Sequence, residues 1–208
     1  MRVLHIDASP RASRSRSRPV AERFLAALPA CAEVTRLDLW QADLPSLGGE
    51  MIEGRYNLLF GEPVDEAIVA EWNAIRQVAA DFLDHDAYVI GTPMWNFGIP
   101  YRLKHFVDVV TQPGMTFRND AAGNVVGLAA GKRALVIAAS AMPFGTDPAL
   151  AALDHQYAYL AAWLGFIGIA DVARIQVAPT FGPEEVVAQA VEAAGEAAIA
   201  LARRWAVD

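Results

Sequence analysis

The chain has 208 residues, 54% hydrophobic and 20% charged, a composition that excludes an intrinsically disordered protein and allows a sizeable buried core. Its 17 basic and 24 acidic residues give a net charge of −7, which argues against general nucleic-acid binding because that requires clustered cations. The single cysteine, Cys31, excludes an internal disulfide and any multi-cysteine metal site, and it fits a reducing cytoplasm.

Short apolar runs typical of strands alternate along the chain with segments whose apolar residues recur at helical spacing. The runs predict strands at 3–6, 34–39, 87–90, 134–139 and 172–177. The helical spacing predicts helices over 20–28, 68–82, 103–110, 149–164 and 184–205. Repeated strand–helix alternation predicts one α/β domain over residues 1–208, with a flavodoxin-like parallel sheet in the order 2-1-3-4-5 and helices on both faces.

Two segments are longer than simple connections. The segment 40–61 is too apolar for a solvated loop, so we expect this insertion to pack against another surface. The segment 111–131 predicts a turn or small hairpin. No run of about 18 uncharged apolar residues is present, and the first apolar run is too short for a signal peptide, so we expect no membrane segment.

Ligands of such sheets bind beyond the carboxyl ends of the strands, near the point where the strand order reverses. The first loop at this edge, 9–19, carries four serines and four arginines between a strand and a helix, with Ser17 as the predicted N-cap. Small hydroxyl donors at a helix N-terminus indicate a phosphate site. The alternative is a solvated or disordered Arg/Ser run, which the position between two elements disfavours. A Walker loop is absent, so nucleotide triphosphate hydrolysis is not expected.

The second and third loops lie at the same predicted edge. Loop 92–100 places aromatic residues around Asn96 between two prolines, which suits stacking of a planar heteroaromatic ring. An aromatic plug at the end of the sheet is the equally open alternative. Loop 139–143 contains Ser140, but no G-x-S-x-G elbow surrounds it, so a hydrolase nucleophile is not supported.

A resemblance to a known family is carried by motifs in nearly the whole chain. They are Asp7-Ala8-Ser9-Pro10-Arg11, Ser15-Arg16-Ser17, Thr92-Pro93-Met94-Trp95-Asn96-Phe97, Gly114-Met115-Thr116-Phe117-Arg118, Gly131-Lys132 and Leu164-Gly165-Phe166-Ile167-Gly168-Ile169. In these residues the chain resembles the FMN-dependent NADH azoreductases, also called FMN-dependent NADH:quinone oxidoreductases. These proteins are flavodoxin-like homodimers that hold FMN at the carboxyl ends of the strands.

The resemblance implies a set of cofactor contacts in the three loops. The FMN phosphate is expected at Ser9, Ser15, Arg16 and Ser17, and the isoalloxazine ring at Met94, Trp95, Asn96 and Phe97. Trp95 stands where the family usually has Tyr. Ala139 and Ser140 complete the cofactor set, although this chain lacks the Ser-Arg-Gly-Gly-like turn that many members carry there. Phe117 and Trp163 match aromatic residues that resemble substrate-pocket walls in the family.

The implied function is a cytoplasmic, homodimeric oxidoreductase with FMN as cofactor and NADH or NADPH as electron donor. It would reduce quinones by two electrons in a ping-pong cycle and cleave azo compounds, with small molecules and no nucleic acid or membrane as partners. The insertion 40–61 would then be an interface element. No metal is expected, because the four histidines lack zinc-ligand spacing. The alternatives are a flavodoxin-like one-electron carrier and a non-enzymatic phospholigand-binding module.

Overall fold

The computed structural model describes residues 1–144 and 148–206, except for the side chain of Leu59. The strands are β1 (Arg2–Asp7), β2 (Glu33–Asp38), β3 (Ala87–Pro93), β4 (Phe117–Asn119), β5 (Val125–Gly127), β6 (Arg133–Ala139) and β7 (Asp171–Val177). The helices are α1 (Arg18–Ala26), α2 (Gly49–Phe60), α3 (Glu66–Leu83), α4 (Tyr101–Val110), α5 (Pro148–Ala151), α6 (His155–Phe166) and α7 (Glu184–Trp205). The main sheet is parallel in the order β2-β1-β3-β6-β7, which confirms the predicted fold class and strand order 2-1-3-4-5.

Apolar side chains on both faces of the central strands build two separate cores. In β1, Val3 packs with residues of α1 and α7, whereas Leu4 packs on the opposite face with residues of α3, α4 and α6. Burial of each large apolar side chain contributes about 1.5–3 kcal/mol to folding. No helix in the described part of the chain is both long and apolar enough to cross a membrane. Helices α1 and α7 pack on one face of the sheet, and α3, α4 and α6 pack on the other.

The apolar insertion contains a helix, α2, that the sequence did not predict. It packs against α3, where the Trp72 indole N–H donates to the Met51 carbonyl at 3.0 Å. A Cβ on Gly54 would lie 2.4 Å from the Ile68 side chain, so a glycine is needed where the two helices approach. The predicted hairpin within 111–131 is confirmed, because β4 and β5 pair as antiparallel strands.

The prediction of one continuous helix over 149–164 is wrong. The structure divides this segment into α5 and α6, with α6 beginning after Asp154. The Asp154 carboxylate accepts the Tyr157 backbone N–H at 3.1 Å and an ion-paired N–H from Arg174 on β7. A buried carboxylate needs such partners, and this one obtains them as a helix cap. The apolar spacing carried no sign of this break.

Candidate functional site

Three loops meet in one cleft because their strands end level with one another. Asp7 of β1 pairs with Gly91 of β3, and Pro93 of β3 pairs with Ala139 of β6. The Met94 N–H then donates to the Ala139 carbonyl at 2.7 Å, which joins the second and third loops. The residues lining the cleft are Ser9, Arg11, Arg14, Ser15, Arg16, Ser17, Pro93, Met94, Trp95, Ala139, Ser140, Ala141 and Thr180.

The predicted cofactor residues therefore gather at this edge. Those of the first and third loops all line the cleft, as do Met94 and Trp95. Asn96 instead lines an adjoining open groove beyond Trp95, together with residues of α4 and of the segment 46–48. Phe97 is exposed on the same turn.

The first loop presents buried hydroxyls at the start of α1. The Ser15 and Ser17 Oγ atoms lie 3.3 Å apart, and the Ser15 Oγ accepts the Arg18 backbone N–H at 3.2 Å. Ser17 is the N-cap residue of α1, as predicted, but its hydroxyl makes no capping hydrogen bond. The helix N-terminus and the Ser17 hydroxyl thus remain able to bind an anion, which the positive end of the helix dipole favours.

An ionic network lies beneath this loop and fixes its shape. Asp7 accepts the Ser9 backbone N–H at 2.9 Å and pairs through its other oxygen with Arg18. Arg18 also reaches Asp38 at 3.2 Å. Arg18 is therefore engaged by two carboxylates and does not add to the free positive charge of the loop. Sequence reasoning missed this network because it joins the ends of β1 and β2 to α1, at positions that no motif links.

His5 is buried beside this network, where its surroundings disfavour the imidazolium. Its Nδ1 accepts an N–H of Arg36 at 3.4 Å, and its Nε2 has no partner among the described residues. Burial is the largest influence and holds the pKa of His5 below its ordinary value of 6.5. The Asp7 and Glu22 charges oppose this lowering, whereas Arg36 and Arg18 reinforce it.

We expect the pKa of His5 to make the protein less stable as pH falls below about 6.5. Below this pH, His5 binds a proton in the unfolded chain but not in the folded chain. The free energy of unfolding therefore decreases as the pH falls, until the pH reaches the lowered pKa of His5 in the folded state. One proton corresponds to at most about 1.4 kcal/mol per pH unit. Urea unfolding of the protein and of His5→Gln at pH 7.5, 6.5 and 5.5 tests this. The wild-type protein should lose more stability over this range than the variant, and parallel pH profiles would contradict the assignment.

The second loop forms a strained turn. The Trp95 and Gly98 backbones exchange two hydrogen bonds of 2.9 Å, which close a turn over Asn96 and Phe97. Both turn residues adopt left-handed backbone conformations, with φ of 46° and 70°. Such conformations cost roughly 1–3 kcal/mol each outside glycine and concentrate at functional sites. The turn holds Trp95 at the mouth of the cleft, with more than a third of the residue's surface exposed.

Trp40, the first residue of the insertion, braces this turn. Its indole N–H donates to the Ala8 carbonyl at 2.9 Å, and its ring lies 5.7 Å from Trp95 and 5.4 Å from Tyr101. Arg102 fixes the same segment by donating to the Leu39 carbonyl at 2.7 Å. Trp40 thus connects the end of β1 to the aromatic turn. Its role was missed because only its apolar character, not its contact, is visible in the sequence.

Three predicted site residues have structural roles that their motifs did not indicate. The Ser140 hydroxyl, although in the cleft, donates to the Met142 carbonyl at 2.8 Å. Trp163 is buried, and its indole N–H donates to the Thr111 hydroxyl at 2.9 Å, so the structure does not bring it to the cleft. Phe117 is half-buried and packs against Phe166 with ring centroids 4.8 Å apart, also away from the cleft lining.

Five cleft residues were absent from the predicted set, and two of them, Pro93 and Ala141, are direct chain neighbours of predicted residues. Arg11 and Arg14 line the cleft from the first loop, and Thr180 lines it from the loop after β7. The count of arginines in the first loop already signalled Arg11 and Arg14. Thr180 could have been found from the strand order, because β7 lies beside β6 and its carboxyl end therefore reaches the same edge.

Comparison with known proteins agrees with this architecture. A family model described as flavodoxin-like fold matches residues 1–201. Across an alignment 213 positions long, the chain is 43% identical to an FMN-dependent NADH:quinone oxidoreductase of Nitratidesulfovibrio vulgaris, with 99% of this chain and 98% of the relative covered. Across an alignment 210 positions long, it is 36% identical to FMN-dependent NADH:quinone oxidoreductase 3 of Pseudomonas fluorescens, with 99% of this chain and 97% of the relative covered.

A solved structure extends the likeness to the fold. The FMN-dependent NADH-azoreductase of Bacillus anthracis, in complex with FMN, superimposes with a TM-score of 0.84 at 26% identity. The alignment covers 97% of this chain and 99% of that one. These matches confirm the resemblance stated from the sequence motifs. The chain belongs to the flavodoxin-like family that contains the FMN-dependent NADH:quinone oxidoreductases.

Proposed function

We propose that this protein is an FMN-dependent oxidoreductase that uses NADH or NADPH to reduce quinones and to cleave azo compounds. The observation that carries the proposal is the cleft itself, in which a hydroxyl- and arginine-lined helix N-terminus faces a strained aromatic turn. The relatives named for this activity align over nearly the whole chain, which supports the same reading.

The residues of the cleft fit FMN at both ends. At the phosphate end, Ser9, Ser15 and Ser17 are buried side chains with hydroxyls, and no carboxylate is among the described lining residues. At the ring end, Met94 and Trp95 supply an apolar wall for a flat heteroaromatic system. A phosphate with a planar aromatic head matches this arrangement. FMN is therefore the cofactor that we propose, with its phosphate in the first loop.

FMN, when bound, supplies the transfer of a hydride from the dihydronicotinamide and of two electrons to the acceptor. The protein chain would bind the cofactor, orient it and shield it from solvent. Its serine hydroxyls and the α1 N-terminus would hold the phosphate, and Trp40, which contacts Trp95, would keep that indole in place beside the isoalloxazine ring. Within the 94–97 turn, the backbone N–H groups of Asn96 and Phe97 are the proposed donors to the polar edge of the ring, because those of Met94 and Trp95 already donate to the Ala139 and Gly98 carbonyls. No side chain need act as a nucleophile, because the chemistry is the cofactor's.

The open groove beyond Trp95 is the proposed entry for the coenzyme's nicotinamide and for the acceptor. Trp95 and Tyr101 line it with exposed aromatic surface, which suits flat quinones and azo compounds. One opening for both reactants requires that the oxidised coenzyme leave before the acceptor enters. Such sharing gives the ping-pong order that we propose.

The decisive test is the visible spectrum of the purified protein during an anaerobic cycle. We expect a bound flavin whose visible band bleaches on addition of NADH and returns on addition of a quinone. Sustained turnover of NADH with quinone would also exclude a one-electron carrier. A colourless protein that takes up no FMN would contradict the proposal and favour a phospholigand-binding module.

We also propose a cytoplasmic homodimer that associates through α2. Ile52, Tyr56 and Phe60 recur every four residues on α2 and form one exposed apolar stripe, of which Phe60 is 78% exposed. Exposed apolar stripes of this kind mark protein interfaces. The free, exposed thiol of Cys31 suits a reducing compartment.

Substitution Phe60→Asp is expected to convert the dimer to a monomer, because the new carboxylate would be buried unpaired at the interface. Light scattering coupled to size-exclusion chromatography gives the mass directly. Val186→Asp is the control and should remain dimeric. Val186 is an exposed apolar residue of α7, and α7 packs on the opposite face of the sheet. A wild-type monomer at micromolar concentration would contradict the proposed assembly.

A further inference from the structure

The cleft is rich in positive charge although the protein as a whole is acidic. Arg11, Arg14 and Arg16 line it, are exposed, and have no ion-pair partner among the described residues. No acidic residue is among the described lining, although the whole chain carries a net charge of −7. Arg18 differs from these three because Asp7 and Asp38 already engage it. Three free guanidinium groups at one rim attract anions strongly.

This charge exceeds what one phosphate requires. A phosphomonoester carries about −1.5 to −2 at pH 7. The helix dipole contributes roughly half a positive charge at the N-terminus of α1. Arg16, which the sequence motif places with the phosphate ligands, adds a full charge beside the hydroxyls. Arg11 and Arg14 remain as surplus positive charge among the exposed residues of the cleft lining.

The opposite end of the site offers no comparable charge. In the groove beyond Trp95, Lys104 is paired with Asp108 at 2.5 Å. His105 Nε2 lies at hydrogen-bond distance, 2.8 Å, from the Pro45 carbonyl. Among the described residues lining the cleft and this groove, the unpaired cations are therefore all at the arginine rim. A dihydronicotinamide coenzyme with its nicotinamide beside the aromatic turn would meet favourable charge only by directing its phosphates towards this rim.

We propose that Arg11 and Arg14 form a second anion subsite that binds the phosphates of the dihydronicotinamide coenzyme. This proposal rests on the proposed function. Arg11 and Arg14 line the same cleft as the residues assigned to the FMN phosphate but are not among them, and planar guanidinium groups bind phosphate oxygens in pairs. NADPH carries one more phosphate than NADH, so it gains more from the two arginines.

The test compares Arg11→Gln/Arg14→Gln with the matched control Arg203→Gln/Arg204→Gln, which removes the same charge from the last turn of α7. Five quantities are measured. They are kcat/KM for NADPH and for NADH, KM for the quinone, the Kd of FMN for the apoprotein from fluorescence quenching, and the Kd of ADP-ribose 2′-phosphate from calorimetry of the FMN-loaded protein.

We expect kcat/KM to fall about 30-fold for NADPH and about 5-fold for NADH in the first double variant, through KM. ADP-ribose 2′-phosphate should bind correspondingly more weakly, whereas the quinone KM and the FMN Kd should change less than twofold. Loss of FMN affinity with unchanged coenzyme KM would overturn the subsite, because the arginines would then serve the FMN phosphate. Equal losses in both double variants would overturn it in favour of a general charge effect.

Failure of the proposed function has a different signature. A wild-type protein that holds FMN but oxidises neither coenzyme would refute the oxidoreductase, not the anion subsite. The calorimetric titration decides the subsite in that case. Binding of ADP-ribose 2′-phosphate that the Arg11/Arg14 variant loses and the α7 control keeps would support it, and equal binding by all three proteins would overturn it.

Discussion

Substitution Ser17→Asp is expected to weaken FMN binding by roughly 100-fold while leaving the fold intact. Ser17 is the buried N-cap residue of α1 and lines the phosphate end of the cleft. Aspartate is among the best N-cap residues, so α1 should begin where it does now. The new carboxylate would stand close to the phosphate. At an effective dielectric constant of about 20, two unit charges about 5 Å apart repel by about 3 kcal/mol.

The matched control is Ser13→Asp in the same loop. Ser13 is exposed and is not among the residues that line the cleft, yet its substitution changes the net charge equally. Quenching of FMN fluorescence by each apoprotein gives the dissociation constants, and thermal unfolding monitored by circular dichroism checks the fold. We expect Ser13→Asp to lie within about threefold of the wild type. Equal weakening by both variants would show that the loop acts only through its overall charge.

Substitution Gly127→Ala is expected to lower the free energy of unfolding by about 3 kcal/mol, as overpacking of a closely packed contact does. A Cβ at this position would lie 2.2 Å from the Gly168 nitrogen and 2.2 Å from the Ile167 carbonyl carbon. Both are backbone atoms and cannot rotate away. Gly168 itself has φ of +102°, a conformation that glycine adopts most easily. The hairpin must therefore separate from the turn between α6 and β7.

Gly165→Ala is the matched control, because it makes the same substitution in the 164–169 motif that Gly127 approaches. Its Cβ would meet no atom within 4 Å, and the residue lies in the last turn of α6. Alanine is favoured over glycine in a helix by up to about 1 kcal/mol, so this variant should be as stable as the wild type or slightly more stable. Urea unfolding measures both. Equal stabilities of the two variants would contradict the close backbone approach at Gly127.

The sequence predicted the sheet because its strands are buried on both faces. Runs such as 87–90 and 134–139 are apolar throughout, and only a central parallel strand covered by helices on two sides buries every side chain of such a run. Alternation with helical spacing then restricted the connections to right-handed crossovers, which left few topologies. The strand order was then inferred, without any motif, from the number of strands, because five strands favour the flavodoxin-like order over a longer dinucleotide-binding fold.

The helices were predicted less well where one side chain decides the outcome. Asp154 divides the segment 149–164 because it caps α6 and pairs with Arg174, a contact 20 residues away along the chain. Helix α2 was missed because its apolar residues face two ways. Met51 is buried against α3, whereas Tyr56 and Phe60 point to solvent, so no single helical face is apparent. Apolar periodicity indicates which residues of a helix are buried. It cannot reveal a helix cap such as Asp154 or exposed apolar residues such as Tyr56 and Phe60.

Some features of the candidate site were likewise predictable from the sequence, and others were not. Its loops were predictable because parallel strands of one sheet end at one edge, and the motif residues of those loops do meet in the cleft. The engagement of Arg18 by Asp7 and Asp38 was not predictable, nor was the contact of Trp40 with Trp95. Each joins residues distant in the chain through side-chain geometry. Trp163 packs in the core, and its indole N–H donates to Thr111. The sequence could not distinguish it from a residue that lines a pocket, because this contact also depends on side-chain geometry.

The most direct test of this account is a crystal structure of the protein saturated with FMN. We expect the phosphate at the N-terminus of α1, against the hydroxyls of Ser9, Ser15 and Ser17, and the isoalloxazine ring beside Trp95. A flavin phosphate bound away from the first loop, or a cleft that stays closed or holds a different molecule despite saturating FMN, would contradict the account.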